Sequence, residues 1–362
     1  MSRRMSEERD MSEISLTIDG REVSVPQGWT VLQAANKAGV RIPTLCQVWE
    51  LTPCSACRIC LVEVEGARNL VPACSFPAAA GAKVRTKTPR VLNARKLVME
   101  LILSDHPLDC MTCEKTGSCQ LQDLAYEMGL AGSRLKGEQH RYGVDTANPF
   151  IVRDYNKCVL CERCTRICDE VQGSCAIEYA HRGFETRVGV PYHRSLTESD
   201  CVFCGQCVSV CPVGALAEKS RVGRGREWEF RKVKTICSYC GVGCTLVLNV
   251  KDGEIVRVTS DRATGVNRGN LCVKGRFGFD YVHSPERLAH PLIREGKSLR
   301  PASWDEALDR VAGDLKRIKD RYGPDSIGVL VSAKCTNEEN YVLQKMARAA
   351  LGTNNVDHCA RL

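Results

Sequence analysis

The chain has 362 residues, a formal net charge of +8 and 23 cysteines. No run of about 18 apolar residues is present, which excludes a membrane-spanning helix. The charged segment from Met1 to Ser15 lacks the apolar core of a secretion signal. With no sign of export, the clustered Cys-x-x-Cys spacings favour metal over disulfides and point to a reducing, cytoplasmic setting.

Residues 1–12 read as a disordered tail. Ile14 to Ile18 and Glu22 to Val25 alternate around Asp19-Gly20, which predicts a β-hairpin. Thr30 is placed to cap a short helix, Val31 to Ala38, that Gly39 ends. Hairpin, helix and cysteine loop in that order predict a small β-grasp domain over 13–88. Pro89 to Leu103 predicts an amphipathic helix with Val91, Leu92, Ala94, Leu97, Val98, Leu101 and Ile102 as its apolar set. From 105 to 220 cysteine loops dominate, so metal rather than a large apolar core must organise the stretch. The basic, Gly-containing residues 221–233 read as a solvated linker. Ser303 with Glu306, and Thr336 with Glu339, form capping boxes around a buried strand from Ser326 to Ser332. This is a β-α unit of an α/β domain, and it stops at Leu362, where a second parallel strand should begin. A half-unit cannot cover its own hydrophobic faces, so the chain reads as truncated.

Nineteen cysteines fall into five cluster-ligand patterns. The first is Cys46, Cys57, Cys60 and Cys74, suited to a rhombic [2Fe–2S] core following a β-grasp hairpin and helix. Cys54 is a rival ligand, but Cys57 and Cys60 lead directly into the strand Leu61–Val64. The second is Cys110, Cys113 and Cys119, three thiolates for a [4Fe–4S] cube; His106, at the entrance of the loop, supplies the fourth ligand as an imidazole. The third and fourth repeat one spacing, Cys158, Cys161, Cys164, Cys168 and Cys201, Cys204, Cys207, Cys211, the last followed by Pro212. In two-cluster ferredoxins the fourth cysteine of each run ligates the other cluster. One cube is therefore expected on Cys158, Cys161, Cys164 and Cys211, the other on Cys201, Cys204, Cys207 and Cys168. The fifth set is Cys237, Cys240, Cys244 and Cys272; zinc is the rival there, but a second Cys-x-x-Cys pair is lacking. Cys175, Cys335 and Cys359 are left over and read as structural, Cys175 as a small buried hydrophobe. Cluster thiolates bring a formal charge of about −9, which cancels the +8. The basic balance is thus no sign of a nucleic-acid partner.

With all five sets in view, the chain resembles the N-terminal part of cytoplasmic molybdenum- or tungsten-dependent formate dehydrogenase catalytic subunits, members of the molybdopterin oxidoreductase family. The resemblance covers residues 14–362 and is strongest over Cys237–Cys244, Gly269–Gly275 and Thr336–Leu362. It implies an α+β multidomain protein. The parts are a [2Fe–2S] β-grasp domain (13–88), a [4Fe–4S] domain with one histidine and three cysteine ligands (89–128), a two-[4Fe–4S] ferredoxin-like domain (145–220), a molybdopterin-type [4Fe–4S] domain (230–286) and an incomplete molybdopterin-binding α/β domain (287–362). It implies one [2Fe–2S] and four [4Fe–4S] clusters, with bis-molybdopterin guanine dinucleotide carrying Mo or W in the full-length protein. Lys274 stands where the family has a lysine between the proximal cube and the pterin, and so reads as an electron bridge. The family's cysteine or selenocysteine metal ligand would be the residue after Leu362, so no catalytic residue lies within the chain; a selenocysteine codon taken as a stop is the expected reason.

The activity so implied is reversible formate oxidation to carbon dioxide, which the chain as given would not perform alone. Electrons would run from the Cys237 cube through the ferredoxin-like pair and the His106 cube to the [2Fe–2S] centre. A flavin- and NAD(P)-binding iron–sulfur subunit, a hydrogenase module or a ferredoxin would take them there. The alternative is a non-catalytic relay, like the large iron–sulfur subunit of complex I or of an NAD(P)-linked hydrogenase. That subunit normally has one cube where this chain carries a paired run of eight cysteines.

Overall fold

The structure, a computed structural model, describes residues 12–360. Residues 1–11 of the expected tail (1–12) and the last two residues of the segment His358–Leu362 lie outside the described residues. The chain divides into two compact units, Met1–Glu229 and Phe230–Leu362, with mixed α/β structure in both.

The first unit opens with β1 (Glu13–Ile18) and β2 (Arg21–Pro26), an antiparallel hairpin turning at Asp19-Gly20, both in the left-handed region. Thr30 caps α1 (Val31–Lys37) through a full capping box with Gln33. With β3 (Leu61–Val64), β4 (Val71–Pro72) and β5 (Lys83–Arg85) these strands form one sheet in the order β2-β1-β5-β3-β4, with β5 parallel to β1. Leu16, Ile18, Val25, Val62 and Val84 from the sheet meet Val31, Ala34 and Ala35 of α1 in its core. Alternation places one face of each strand inward, so the period-2 pattern fixes this layer directly.

The helix α2 (Pro89–Asp105) is capped by Thr88. Its buried face is not the apolar set expected: Leu92, Leu97 and Leu101 are exposed, while Arg95 and Glu100 are buried beside Val91, Met99 and Leu103. Long-range partners account for the difference. Arg95 donates to the Leu61 carbonyl from Nε (2.9 Å) and Nη2 (2.7 Å), and Glu100 takes a fork from Arg134 at 2.6 and 2.8 Å. A short α3 (Gln120–Glu127) follows, and then loops joined by β6 (Ile151–Arg153), α4 (Arg163–Arg166), β7 (Glu178–Ala180), β8 (Arg187–Gly189), α5 (Gln206–Val210) and β9 (Leu216–Glu218). The pairs β6·β9 and β7·β8 are two-stranded and antiparallel.

In the second unit β10 (Arg231–Ile236), β11 (Thr245–Lys251) and β12 (Glu254–Thr259) make an antiparallel sheet beside α6 (Val273–Phe277). The hairpin β13 (Leu292–Glu295) and β14 (Ser298–Pro301) leads to α7 (Trp304–Tyr322). Ser303 accepts from the Glu306 N–H, but Glu306 turns its carboxylate to Arg300 rather than back to the cap, so only half of that capping box forms. Thr336 and Glu339 do close theirs, starting α8 (Asn337–Met346). The expectation that the chain stops before a second parallel strand is corrected: β16 (Val356–His358) lies parallel to β15 (Val329–Val331), paired from Val329↔Val356 to Val331↔His358. Among the described residues no helix is long and apolar enough to cross a membrane.

Candidate metal centres

The loop after α1 brings five thiols together. Cys46, Cys57, Cys60 and Cys74 are all buried, and Ser55 and Arg58, close to Cys57 on either side, hold left-handed backbone angles that coil the Cys54–Cys60 segment inward. The Cys46 thiol meets those of Cys54, Cys57 and Cys74, and Cys60 meets Cys74. Cys57 is pulled down to about 7, first by the Cys46 thiol and then by backbone N–H groups of Ile59, Leu45 and Cys46 acting against burial. Amide donors aimed at one sulfur are what a thiolate needs when water is excluded. Cys54 is half-buried, at the edge of this group, with Sγ 3.9 Å from the Cys161 carbonyl.

His106 caps the C-terminus of α2 in an extended conformation. Its Nδ1 is buried without a hydrogen-bond partner, and burial holds its pKa below the ordinary value. An orphaned, neutral imidazole nitrogen is costly unless a ligand is meant for it. His106 and Cys113 face the same two charges, Asp109 and Lys157. Cys113 and Cys119 are buried, Cys110 is half-buried, and Cys119 also caps α3 by accepting from the Gln122 N–H at 3.5 Å. A Cβ at Gly214 would stand 2.5 Å from Cys113 Sγ, so only glycine fits there.

The expected solvated linker at 221–233 is instead, from Arg221 to Trp228, a strap over this loop. Arg221 is 2 % exposed and pairs with Glu114 at 2.7 Å, whose other oxygen accepts from the Gly223 N–H at 2.9 Å. Arg226 donates to the carbonyls of Cys113 (3.1 Å) and Met111. The Trp228 ring sits so close to Gly117 that a Cβ there would be 2.8 Å away. Basic residues read as solvated because their acidic partner lies 107 residues upstream.

The two repeated cysteine runs share a backbone plan. Leu160 and Phe203, each two residues past a first cysteine, are left-handed, as are Glu162 and Gly205, each one residue past a second. The kinks feed α4 and α5 in turn. Cys164 lies among the charges of Cys161, Cys158 and Cys211, with Cys207 a smaller fourth, while Cys207 lies among those of Cys204, Cys201 and Cys168. The fold thus groups the thiols crosswise. Burial pushes Cys158 up to about 11 and Cys161 and Cys207 up to about 12. Ile151, Ile177, Val188 and Val213 line the cavity that Cys158, Cys161, Cys164, Cys207 and Cys211 enclose. Cys175, expected to be buried, is exposed, with Sγ 3.2 Å from Asp169 Oδ1. Its left-handed φ of 48° turns the side chain out of the core.

In the second unit the Cys237 N–H donates to the Cys244 carbonyl at 2.8 Å, closing a loop. Cys237 is buried, Cys240 and Cys244 half-buried and Cys272 exposed, and each of Cys240 and Cys272 acts on both Cys237 and Cys244. Asn337, at the start of α8, donates to the Gly241 carbonyl at 2.7 Å. Lys274 is exposed on α6, two residues past Cys272. Of the spare cysteines here, Cys335 is half-buried and Cys359 exposed, its Sγ 3.3 Å from Ser332 Oγ.

Cys46, Cys57, Cys119, Cys161 and Cys211 belong to one packed core, and the contact between Cys54 and Cys161 joins the first thiol set directly to the third. Cys119 of the His106 set shares that core, so all three sets meet there.

Among the described residues no three His, Cys, Asp or Glu groups close tightly enough to enclose a single metal ion. The donor sets do fit iron–sulfur clusters: soft thiols stand in fours, or in three with an imidazole, all but Cys272 buried or half-buried, and backbone N–H groups meet several of the sulfurs. Such sites in succession define an iron–sulfur electron-transfer protein.

Comparison with known families adds the rest. Residues 11–89 match a 2Fe-2S iron-sulfur cluster binding domain and 95–134 the NADH-ubiquinone oxidoreductase-G iron-sulfur binding region. Residues 148–217 match the ferredoxin-like domain of NADH-quinone oxidoreductase subunit 3. Residues 230–284 match the molybdopterin oxidoreductase Fe4S4 domain and 287–362 molybdopterin oxidoreductase itself. The chain is 40% identical over 349 residues to the NADPH-Fe(3+) oxidoreductase subunit alpha of Geobacter sulfurreducens, covering 96% of this chain and 40% of that protein. It is 35% identical over 398 residues to a Bacillus subtilis protein, YrhE, named as a candidate formate dehydrogenase, with 97% and 40% covered. A crystal structure of an NAD+-reducing [NiFe]-hydrogenase in the H2-reduced state matches at a TM-score of 0.55 and 30% identity, over 59% of this chain and 91% of that one. The chain thus carries iron–sulfur electron-transfer domains followed by an N-terminal portion of molybdopterin oxidoreductase type. It spans 40% of the length of the curated relatives it matches.

Proposed function

We propose that the chain holds one [2Fe–2S] and four [4Fe–4S] clusters and relays electrons between a pterin-bound Mo or W site and an NAD(P)-linked flavin partner. Cys46, Cys57, Cys60 and Cys74 hold the first; His106, Cys110, Cys113 and Cys119 the second. Cys158, Cys161, Cys164 and Cys211, then Cys201, Cys204, Cys207 and Cys168, hold the ferredoxin-like pair, and Cys237, Cys240, Cys244 and Cys272 the last. The crosswise grouping of eight thiols carries this reading, because no single tetrahedral ion needs it. Bound clusters supply one-electron sites. The protein's part is to exclude water from the sulfurs, aim N–H donors at them and set the local charge. Lys274, beside Cys272, is the bridge toward the pterin.

The reaction at the pterin end is formate oxidation, supported by the likeness of Cys237–Cys244 and Gly269–Gly275 to formate dehydrogenases and by the YrhE relative. A relay without formate chemistry is the second reading, favoured by the 40% identity to an NADPH-Fe(3+) oxidoreductase subunit. Anaerobically purified protein should contain about eighteen irons per chain and show five reducible EPR signals; zinc, or far less iron, overturns the cluster reading. Deleting the gene and assaying extracts for formate-dependent viologen reduction separates the rest. An unchanged rate removes formate and leaves the relay.

A further inference from the structure

Arg163, the first residue of α4, is 5 % exposed, and the cluster ligands leave its charge unexplained. Its Nη1 donates to the Val210 carbonyl at 3.3 Å and its Nη2 to Gln120 Oε1 at 2.8 Å. Its Nε is buried with no partner. Among the described residues no carboxylate pairs with it, so both of its partners are neutral oxygens. A guanidinium taken out of water is strongly disfavoured unless an opposite charge is near.

The positions of those contacts indicate where the opposite charge comes from. Arg163 lies between Cys161 and Cys164 in the chain, Val210 precedes Cys211, and Gln120 follows Cys119. The guanidinium is therefore stitched into the ligand loops of one cube site and tied to the edge of the His106 site. Burial lowers its pKa, while Cys161, Cys46, Cys211 and Cys57 act in the opposite direction. A cube on four thiolates carries about −2 and gains one more negative charge on reduction, and a buried cation at low dielectric favours the reduced form.

We propose that Arg163 is a potential-setting residue: the buried cation that raises the reduction potential of the cube on Cys158, Cys161, Cys164 and Cys211, making it the site where electrons gather between its neighbours. This rests on the cluster assignment above. The other cube loop has Gln206, uncharged, at the equivalent place; the buried cation acting on its Cys201 and Cys207 is Arg153, which lies outside that loop, so the two halves of the repeat carry their positive charge differently.

The test is an EPR-monitored redox titration of the full chain, purified anaerobically and reduced stepwise with dithionite and mediator dyes. Signals are assigned by their change in Cys161→Ser and Cys204→Ser variants. Wild-type protein without these signals would refute the cluster reading itself; the inference about Arg163 is judged only where they are present. In Arg163→Gln the reduced-to-oxidised ratio of the first cube should fall about tenfold at fixed potential, 59 mV for one electron. The Cys201 cube should move less than about twofold. Arg163→Lys, which keeps the charge, should stay within about twofold of wild type. An unmoved Arg163→Gln, an equal fall in Arg163→Lys, or loss of iron from either variant overturns the proposal.

Discussion

Gly214→Ala isolates one cluster from the other four. The new methyl carbon would stand 2.5 Å from Cys113 Sγ and 3.3 Å from the Lys157 Cδ. Two non-bonded carbons settle at about 3.5–4.0 Å, and sulfur is larger, so the thiol must retreat by roughly 1 Å. The lysine can yield, being a flexible stem tethered at its tip to Asp109 and Asp154. The sulfur cannot, because metal–ligand distances tolerate only about 0.2 Å and the Cys113 carbonyl is pinned by Arg226. Overpacking of this kind costs about 1–3 kcal/mol in folding, too little to unfold a domain but enough to expel a ligand. The expected result is a loss of about four irons of eighteen and of one EPR signal, with the other four unchanged. Gly137→Ala, where a Cβ meets nothing within 4 Å, is the control. Full iron and a wild-type signal in Gly214→Ala would refute the placement of Cys113 as a ligand held against the 211–215 turn.

Cys57→Ala should cost the [2Fe–2S] signal and about two irons, whereas Cys54→Ala should keep both; the reverse outcome in iron analysis would exchange their roles. Glu114→Ala takes the 2.7 Å ion pair from the buried Arg221 and leaves the longer one to Glu227 at 3.8 Å, and thermal unfolding should show a loss of about 3 kcal/mol. His140 donates from both ring nitrogens, to Asp105 Oδ2 at 2.5 Å and to the Phe184 carbonyl at 2.6 Å, which requires the imidazolium. Burial opposes this, yet the Asp105 carboxylate and the Phe184 carbonyl raise its pKa above the ordinary value. A raised pKa gives stability that is full below about pH 6.5 and is lost as pH rises through the folded value. Amide exchange near 139–142 should therefore quicken as pH rises beyond its intrinsic dependence, and His140→Gln should abolish that excess.

Local signals were readable wherever local chemistry decides. The Asp19-Gly20 turn, the Thr30 and Thr336 caps and the twin cysteine runs each depend on neighbours a few residues away. What escaped depends on distant partners. Arg95 and Glu100 occupy the inner face of α2 because Leu61 and Arg134 meet them there, and nothing in a helical period encodes that. The strap from Arg221 to Trp228 looks like a linker until Glu114 and Gly117 are placed beneath it. The pairing of β16 with β15 and the contact of Cys54 with Cys161 are likewise long-range. Conversely, the burial of Arg163 could be suspected from an unpaired charge wedged between two ligand cysteines, a position where solvation is hard to keep.

The crosswise arrangement of the eight thiols also sets a schedule for synthesis. On the proposed assignment neither donor set is complete within its own loop: the first waits for Cys211, 53 residues after Cys158, and the second borrows Cys168 from a segment already made. At ribosomal speeds of about 5–20 residues per second, the first loop emerges roughly 3–10 s before its last sulfur exists. During that interval three nascent thiols stand open to oxidants and to stray metals. Once Cys211 appears, both sites become fillable together, so delivery of iron and sulfide to this pair is one joint event rather than two.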